Sequence, residues 1–178
     1  MIKDLLASID NNVVVSIYCD IENPIKHLTG FIGALDDNLV LINHISRDGY
    51  YDGYILIQLS DVHRVDVEGN YEIRLKQLYT IRNQKHDGRF IDQRNLCLPF
   101  FQFGKDKKLI LSAEIDDYAL TGFLIDYDAE YIKLLLVDEF GVLNGESIVE
   151  INEVRSFVMD SSTEQSIKLL YDYKRGVL

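Results

Sequence analysis

The amino-acid sequence predicts a mainly β protein with short helices, in which two small five-stranded barrels stand in tandem and each is followed by a helix. Three observations predict this fold: an internal repeat, short apolar runs separated by turn residues, and helically spaced apolar residues after each set of runs. The composition is that of a globular protein, since 47% of the 178 residues are hydrophobic and 26% are charged. A chain of this length buries enough surface to fold without a disulfide or a metal.

The repeat is the most informative feature of the sequence. Leu28-Thr-Gly-Phe31 recurs as Leu120-Thr-Gly-Phe123, which is an offset of 92 residues. When residues 28–82 are placed on residues 120–174 without a gap, twelve of the 55 positions are identical. Glycines and apolar residues stay in phase over the whole stretch, which indicates two copies of one structural unit.

Each copy contains five runs with the apolar and β-branched composition of strands, separated by turn residues. Five short strands in so few residues favour a small, strongly bent barrel, because closure removes exposed edges. The predicted strands cover residues 13–19, 28–35, 39–45, 54–59 and 62–67 in the first copy, and 109–115, 120–127, 131–137, 148–151 and 154–159 in the second.

Apolar residues at helical spacing predict three helices. The first lies at the N-terminus, and one further helix follows each barrel. The apolar stripes are Ile2, Leu5, Leu6 and Ile9, then Tyr71, Leu75, Leu78 and Tyr79, and finally Thr163, Ile167, Leu170 and Tyr171. Ser161 and Glu164 have the spacing of a capping box at the start of the last helix.

The sequence therefore predicts a first domain over residues 1–84, an inter-repeat segment over 85–107 and a second domain over 108–178. The inter-repeat segment contains Leu96-Cys-Leu-Pro-Phe-Phe-Gln-Phe103, which is too apolar for a free linker. We expect this stretch to pack between the barrels or to add a strand to a sheet edge. The alternative is a partner-binding strip, whose candidate residues are Phe100, Phe101 and Phe103.

A glycine, an aspartate six residues later and an apolar strand follow one another in both copies. Gly30 precedes Asp36 and the strand at 39–42, and Gly122 precedes Asp128 and the strand at 131–136. This pattern resembles the first motif of the Sm-like (LSm) family of small SH3-like barrels. The resemblance implies tandem Sm-like barrels, a non-catalytic binding module, single-stranded RNA as ligand, and a homo-oligomer, either a ring or a dimer.

The charge distribution supplies candidate RNA-binding residues. Residues 72–108 carry nine lysines and arginines and four acidic residues, with aromatic residues between them, which would suit a phosphate track with stacking platforms. The alternative is a solvated helix and linker whose cations balance acidic neighbours. The candidates are the turn amide Asn38 and the cations Arg74, Arg82, Lys85 and Arg89.

The whole chain has a formal net charge of −11, which disfavours binding to phosphate. Ser60-Asp61 and Asn152-Glu153 also stand where the resemblance implies arginine and glycine. The alternative function is an acidic protein–protein adaptor or an oligomeric scaffold that uses barrel edges or the aromatic segment. Cations clustered near Asn38 would favour RNA, whereas scattered or salt-bridged cations would favour the adaptor.

Recognisable catalytic and cofactor motifs are absent from the sequence. The four histidines and two cysteines lack metal-ligand spacing, and there is no nucleotide-binding or nucleophile motif. We therefore expect no enzyme activity, no cofactor and no metal. The lack of a membrane-spanning run and of a signal peptide predicts no membrane partner and a cytoplasmic protein with Cys19 and Cys97 reduced.

Overall fold

A computed structural model describes residues 2–88, 90 and 95–177 of the chain. These residues form a mainly β fold, with 39% of residues in ten antiparallel strands and 30% in four short helices. The chain divides into two compact units, Met1–Leu96 and Cys97–Leu178. The sequence instead places residues 97–107 in a segment between two domains.

Unit 1 is a helix, five antiparallel strands and a second helix. The strands lie in the order β5-β1-β2-β3-β4. A 3₁₀ turn, Leu59–Asp61, joins β4 to β5. The elements are α1 (Ile2–Asp10), β1 (Val14–Tyr18), β2 (Leu28–Leu35), β3 (Leu39–Ile45), β4 (Tyr51–Gln58), β5 (Arg64–Val67) and α2 (Asn70–Ile81).

Unit 2 has the same elements in the same order. Its strands lie in the order β10-β6-β7-β8-β9, and a 3₁₀ turn, Ile151–Glu153, precedes the last strand. The elements are α3 (Cys97–Lys107), β6 (Ile110–Ile115), β7 (Tyr118–Tyr127), β8 (Tyr131–Val137), β9 (Leu143–Glu150), β10 (Ser156–Met159) and α4 (Ser162–Lys174).

The strand order within each unit is open. Among the described residues, β5 is paired with β1 only and β9 with β8 only, so neither unit closes its sheet by joining its two outermost strands. The expected mainly β architecture with short helices is confirmed, whereas closed tandem barrels are not shown. Each outermost strand therefore keeps one side whose backbone groups are not paired within its own unit.

Both units carry the same apolar cluster beneath the second helix. In unit 1, Phe31 on β2 packs edge-on against Tyr79 on α2, with ring centroids 5.4 Å apart. In unit 2, Phe123 packs on Tyr171 at 4.9 Å. The full clusters are Val14, Phe31, Ile45, Leu75 and Tyr79, and Ile110, Phe123, Val137, Ile167 and Tyr171.

A buried glutamate fixes the first turn of the second helix to the sheet in each unit. Ser16 on β1 donates a hydrogen bond to Glu72, and Ser112 on β6 donates to Glu164 at 2.7 Å. Both carboxylates are about 95% buried. Buried carboxylates are tolerated only when hydrogen-bonded, so these pairs set where α2 and α4 begin on the sheet.

The capping box predicted at the start of α4 is confirmed. The Ser161 side chain accepts a hydrogen bond from Thr163 N at 3.3 Å, and Glu164 accepts from Ser161 N at 3.1 Å. In α2 the corresponding N-cap is Gly69, which has no side-chain cap. Glu164 therefore serves both the cap and the sheet contact, whereas Glu72 serves the sheet contact without an N-cap serine.

The glycines of the sequence motif lie where two strands come unusually close. A Cβ atom placed on Gly30 would stand 2.1 Å from the carbonyl oxygen of Asn43 on β3. A Cβ atom on Gly122 would stand 2.2 Å from the carbonyl oxygen of Leu135 on β8. Only glycine fits this close approach, which explains its presence at the same position of both copies.

Most predicted strand bounds agree with the structure to within two residues, and three elements differ more. Residues 97–107 form helix α3 rather than an added strand, and β4 and β9 begin earlier than expected, at Tyr51 and Leu143. The predicted strand ranges leave Gly53 and Gly145 in the preceding loops, but both glycines lie inside these strands with φ of +74° and +79°. The strand register shifts beside them, which is typical of a β-bulge rather than of a strand end.

Candidate binding surfaces

Asn38, the proposed base-reading amide, lies exposed in the β2–β3 turn. Asp36 shapes this turn by accepting hydrogen bonds from the backbone N–H groups of Asn38, at 2.8 Å, and Leu39, at 2.7 Å. Asp128 forms the same turn in unit 2 with Glu130 and Tyr131. The aspartate of the sequence motif therefore has a structural role in both copies.

Arg74 and Arg82 lie at the hairpin between β3 and β4. Arg74 donates to the carbonyl of Arg47 at 3.3 Å, and Arg82 donates to the carbonyl of Asp48 at 3.1 Å. The Arg82 guanidinium also stands 4.3 Å from the ring centre of Tyr50. These contacts join α2 and the residue that follows it to the hairpin tip, and each arginine keeps N–H donors that these bonds do not use.

The structure does not place Arg74 and Arg82 beside Asn38. The β2–β3 turn and the β3–β4 hairpin lie at opposite ends of the seven-residue strand β3, which corresponds to roughly 20 Å at about 3.3 Å per residue. Lys85 is exposed after the end of α2, and Arg89 lies outside the described residues. Arg74 and Arg82 therefore lie at one hairpin, at the other end of β3 from Asn38.

Helix α3 buries the aromatic residues proposed as a partner-binding strip. Phe100 and Phe101 have no exposed surface, and Phe103 is partly buried. Phe101 packs edge-on against Phe157 at 5.0 Å and against Tyr127 at 5.6 Å. Phe100 and Phe101 therefore belong to the core, and their apolarity reflects folding rather than an exposed binding strip.

A cluster of tyrosines around His86, which the sequence did not reveal, covers the start of β4. The His86 ring lies 4.6 Å from Tyr51, 5.2 Å from Tyr54 and 5.7 Å from Tyr79, between ring centres. Its Nε2 donates to the carbonyl of Gly53 at 2.9 Å, which leaves Nδ1 to accept from the Tyr79 hydroxyl at 2.7 Å. Burial lowers the pKa of His86 to about 4, so the ring is neutral near pH 7.

The chain after α2 also makes direct contacts with β4. Gln84 accepts from the backbone N–H of Tyr51 at 3.0 Å, and the backbone N–H of Gly88 donates to the Tyr54 hydroxyl at 2.8 Å. Together with the His86 bond to Gly53, these contacts cover the first half of β4. They hold the chain after α2 against the start of this strand.

Strand β9, the counterpart of β4 in unit 2, has none of this cover. Ile148 is 67% exposed, whereas the equivalent Leu56 in β4 is 1% exposed. Glu146 is exposed where Tyr54 is buried, and Leu143 is 41% exposed. Among the described residues, β9 is hydrogen-bonded to β8 alone. It is therefore a long outermost strand with an exposed apolar side chain near its centre.

The described residues include no group of three or more histidines, cysteines or acids that could hold a metal ion. Burial raises the pKa of the Cys19 thiol to about 11, which keeps this thiol protonated and weakly nucleophilic near pH 7. No helix in the described part of the chain is long and apolar enough to cross a membrane.

Comparison with known proteins adds no assignment to this geometry. No protein-family model, no curated protein sequence and no solved structure matches the chain.

Proposed function

We propose that the chain is a non-catalytic protein-binding adaptor built from two divergent Sm-like units. The arrangement of elements supports the Sm-like assignment. Each unit has a helix, five antiparallel strands and a 3₁₀ turn before the last strand, and its strands, counted within the unit, lie in the order 5-1-2-3-4. A strongly bent sheet of this order is the open form of the small barrel that the sequence predicts. The close strand approach at Gly30 and Gly122 would produce such a bend.

The observation that carries the adaptor function is the exposure of β9, which among the described residues has β8 as its one strand neighbour. Ile148, near the centre of β9, is 67% exposed, and Leu143 at its start is 41% exposed. Folded proteins normally cover, shorten or interrupt long outermost strands because they pair readily with other chains. A strand left open over eight residues is the surface that binding by β-strand addition requires.

Selection of a random peptide library against the immobilised full chain tests this function. We expect enriched peptides to bind Ile148→Arg at least about tenfold more weakly, since this change removes the apolar contact at the centre of β9. Ile25→Arg is the matched control, because Ile25 is 82% exposed in unit 1 and distant from β9 in the sequence. Peptides that bind wild type and Ile148→Arg equally would overturn the proposal.

An oligomeric scaffold is the second form of the same proposal. Strands β5 and β9 each have a single neighbour, so one copy could offer β9 to β5 of the next and build the ring or dimer that the Sm-like resemblance implies. Light scattering distinguishes the two forms. A monomeric mass that does not change with concentration leaves the adaptor, and a defined multiple identifies the scaffold.

Single-stranded RNA is the second candidate ligand. The observation that favours it is the exposed ring of Tyr50, which forms a stacking surface beside the Arg82 guanidinium at the β3–β4 hairpin. Lys85 is also exposed, four residues after the end of α2. In either case we propose a cytoplasmic location, where the thiols of Cys19 and Cys97 would stay reduced.

A further inference from the structure

We infer that β9 binds an extended segment of another protein that carries basic, apolar and basic residues at alternate positions. This inference rests on the proposed adaptor function and names the chemistry of its partner. The surface concerned consists of the outward face of β9 and the exposed residues just before it. Its apolar part is Phe140, Val142, Leu143 and Ile148, and its acidic part is Glu139, Glu146 and Glu150.

The charge around β9 is strongly one-sided. Residues 126–153, which span β8, β9 and the turns at their ends, contain eight acidic residues and one base, Lys133. The equivalent residues 34–61 of unit 1 contain five acidic residues and one arginine. A positively charged partner would therefore be attracted to this hairpin, and a negatively charged partner would be repelled by it.

The alternation of side chains along β9 determines where the charges of a partner strand would lie. Glu146, Ile148 and Glu150 lie at every second residue and share one face of the strand. On the β8 side, Lys133 binds Glu146 at 2.6 Å and the Tyr131 hydroxyl donates to Glu150 at 3.2 Å. A strand added on the free side would place its own same-face residues about 5 Å from these three.

The favourable cross-strand pairs indicate which residues the partner segment should carry. Lysine or arginine opposite each glutamate and an aliphatic residue opposite Ile148 are the favourable pairs. The exposed side chain of Phe140, which is 62% accessible, extends the apolar surface beyond the start of β9. A segment of the pattern basic-x-apolar-x-basic therefore matches β9, while an acidic segment of the same shape does not.

A second copy of the chain is a poorer match to this surface. Strand β5, which like β9 has a single strand neighbour among the described residues, runs Arg64-Val-Asp-Val67 and carries one charge of each sign. Its arginine is already bound to Asp66 at 2.6 Å and stacked 4.4 Å from the Tyr18 ring centre. Since each copy also carries a net charge of −11, approach of two copies is electrostatically unfavourable.

The test uses three labelled peptides of equal length and the full chain in fluorescence anisotropy. Their alternate residues run Lys-Val-Lys, Thr-Val-Thr and Glu-Val-Glu, and threonine fills the positions between. We expect the lysine peptide to bind at least about threefold more tightly than the threonine peptide at low salt, and the glutamate peptide to bind most weakly. The difference should shrink at physiological salt.

A double variant locates the effect on β9. Glu146→Lys with Glu150→Lys should reverse the preference, so that the glutamate peptide binds best. The matched control is Glu22→Lys with Asp117→Lys, which changes two exposed acidic residues outside β9 and gives the same net charge. This control should bind the three peptides in the same order of affinity as the wild type, although its affinity for the lysine peptide should be slightly lower.

The outcomes separate this inference from the adaptor function. If the threonine and lysine peptides bind equally and both lose affinity on Ile148→Arg, the strand edge binds peptides and the charge inference is wrong. If peptides bind but Ile148→Arg has no effect, both the adaptor function and the inference are wrong. If none of the three peptides binds at low salt, the exposed acids act only to keep other strands away, and the inference is overturned.

Discussion

His86 illustrates how burial sets the charge of a single side chain. The neutral ring fits between three tyrosine rings and is held by Tyr79 and Gly53, and its pKa falls to about 4 from the ordinary 6.5. In the unfolded chain the ring takes up a proton below pH 6.5, whereas the folded chain resists this until about pH 4. Acidification across this window therefore favours unfolding.

We expect the free energy of unfolding to fall by about 3 kcal/mol between pH 6.5 and pH 4 through His86 alone. Urea denaturation of the wild type and of His86→Phe at several pH values measures this contribution. The variant should lose this part of the decline, whereas His63→Phe, at an exposed histidine, should keep it. An identical pH dependence in wild type and His86→Phe would contradict the role given to burial.

Gly30 is a second residue whose identity follows from its surroundings. Gly30→Ala would place a methyl group 2.1 Å from the backbone oxygen of Asn43, and we expect a loss of about 3 kcal/mol in the free energy of unfolding. Gly145→Ala has open space around it and a φ of +79°, so backbone strain alone should cost about 1 kcal/mol. Equal losses in thermal or urea denaturation would show that close strand approach is not the reason for glycine at position 30.

The sequence predicts residues that meet a local backbone demand better than it predicts the long-range contacts of a side chain. The sequence motif correctly singles out Gly30 and Asp36, because a close approach and a tight turn are local demands. The roles of Arg74 and Arg82 depend on which hairpin carbonyls lie opposite α2, and this is set by folding rather than by nearby sequence. The His86 cluster likewise joins residues more than thirty positions apart.

At the scale of elements, the buried glutamate of each second helix is the main polar contact between helix and sheet. Glu164→Ala would leave Ser112 and the N-terminus of α4 without their acceptor, so we expect a loss of about 3 kcal/mol. Glu139→Ala, at an exposed glutamate, should change stability by less than about 0.5 kcal/mol. Urea denaturation that finds the two variants equally stable would refute the anchoring role of Glu164.

Helix α3 is the one helix that the sequence did not predict, and the length of a loop explains why. It is the counterpart of α1, since Leu5 and Phe101 are fully buried and Asn12 and Lys108 both have positive φ at the helix ends. This match appears at an offset of 96 residues rather than 92, because the connection between the first two strands is four residues longer in unit 1. An ungapped comparison at 92 residues therefore places α1 out of phase with α3.

The strand pattern itself was largely predictable. Strands β2, β3 and β8 have the predicted bounds, since apolar β-branched runs and Asp-centred turns are encoded locally. The sequence predicts the starts of β4 and β9 too late, because glycine is typical of a loop and the bulges at Gly53 and Gly145 depend on pairing with the neighbouring strand. The exposure of β9 could not be predicted, because it depends on which segments cover each outermost strand.

For the whole molecule, the net charge of −11 argues against nucleic acid as the main ligand. We expect no saturable binding of U-rich or A-rich single-stranded RNA at physiological salt, measured by fluorescence anisotropy. Any weak binding at low salt should disappear as salt is added. Tight binding at physiological salt that is lost in Arg82→Ala and Lys85→Ala, but kept in Lys3→Ala, would instead establish the RNA function.

The most direct measurement is hydrogen exchange of the backbone amides of β9 and β4 in the full chain. In the free protein, we expect exchange over residues 143–150 to be faster than over the equivalent residues 51–58, since β9 is exposed and β4 is covered. Addition of the lysine–valine peptide should slow exchange in β9 and leave β5 unchanged. Slow exchange in free β9, or protection by the peptide elsewhere but not in β9, would contradict the conclusion that β9 is the binding surface.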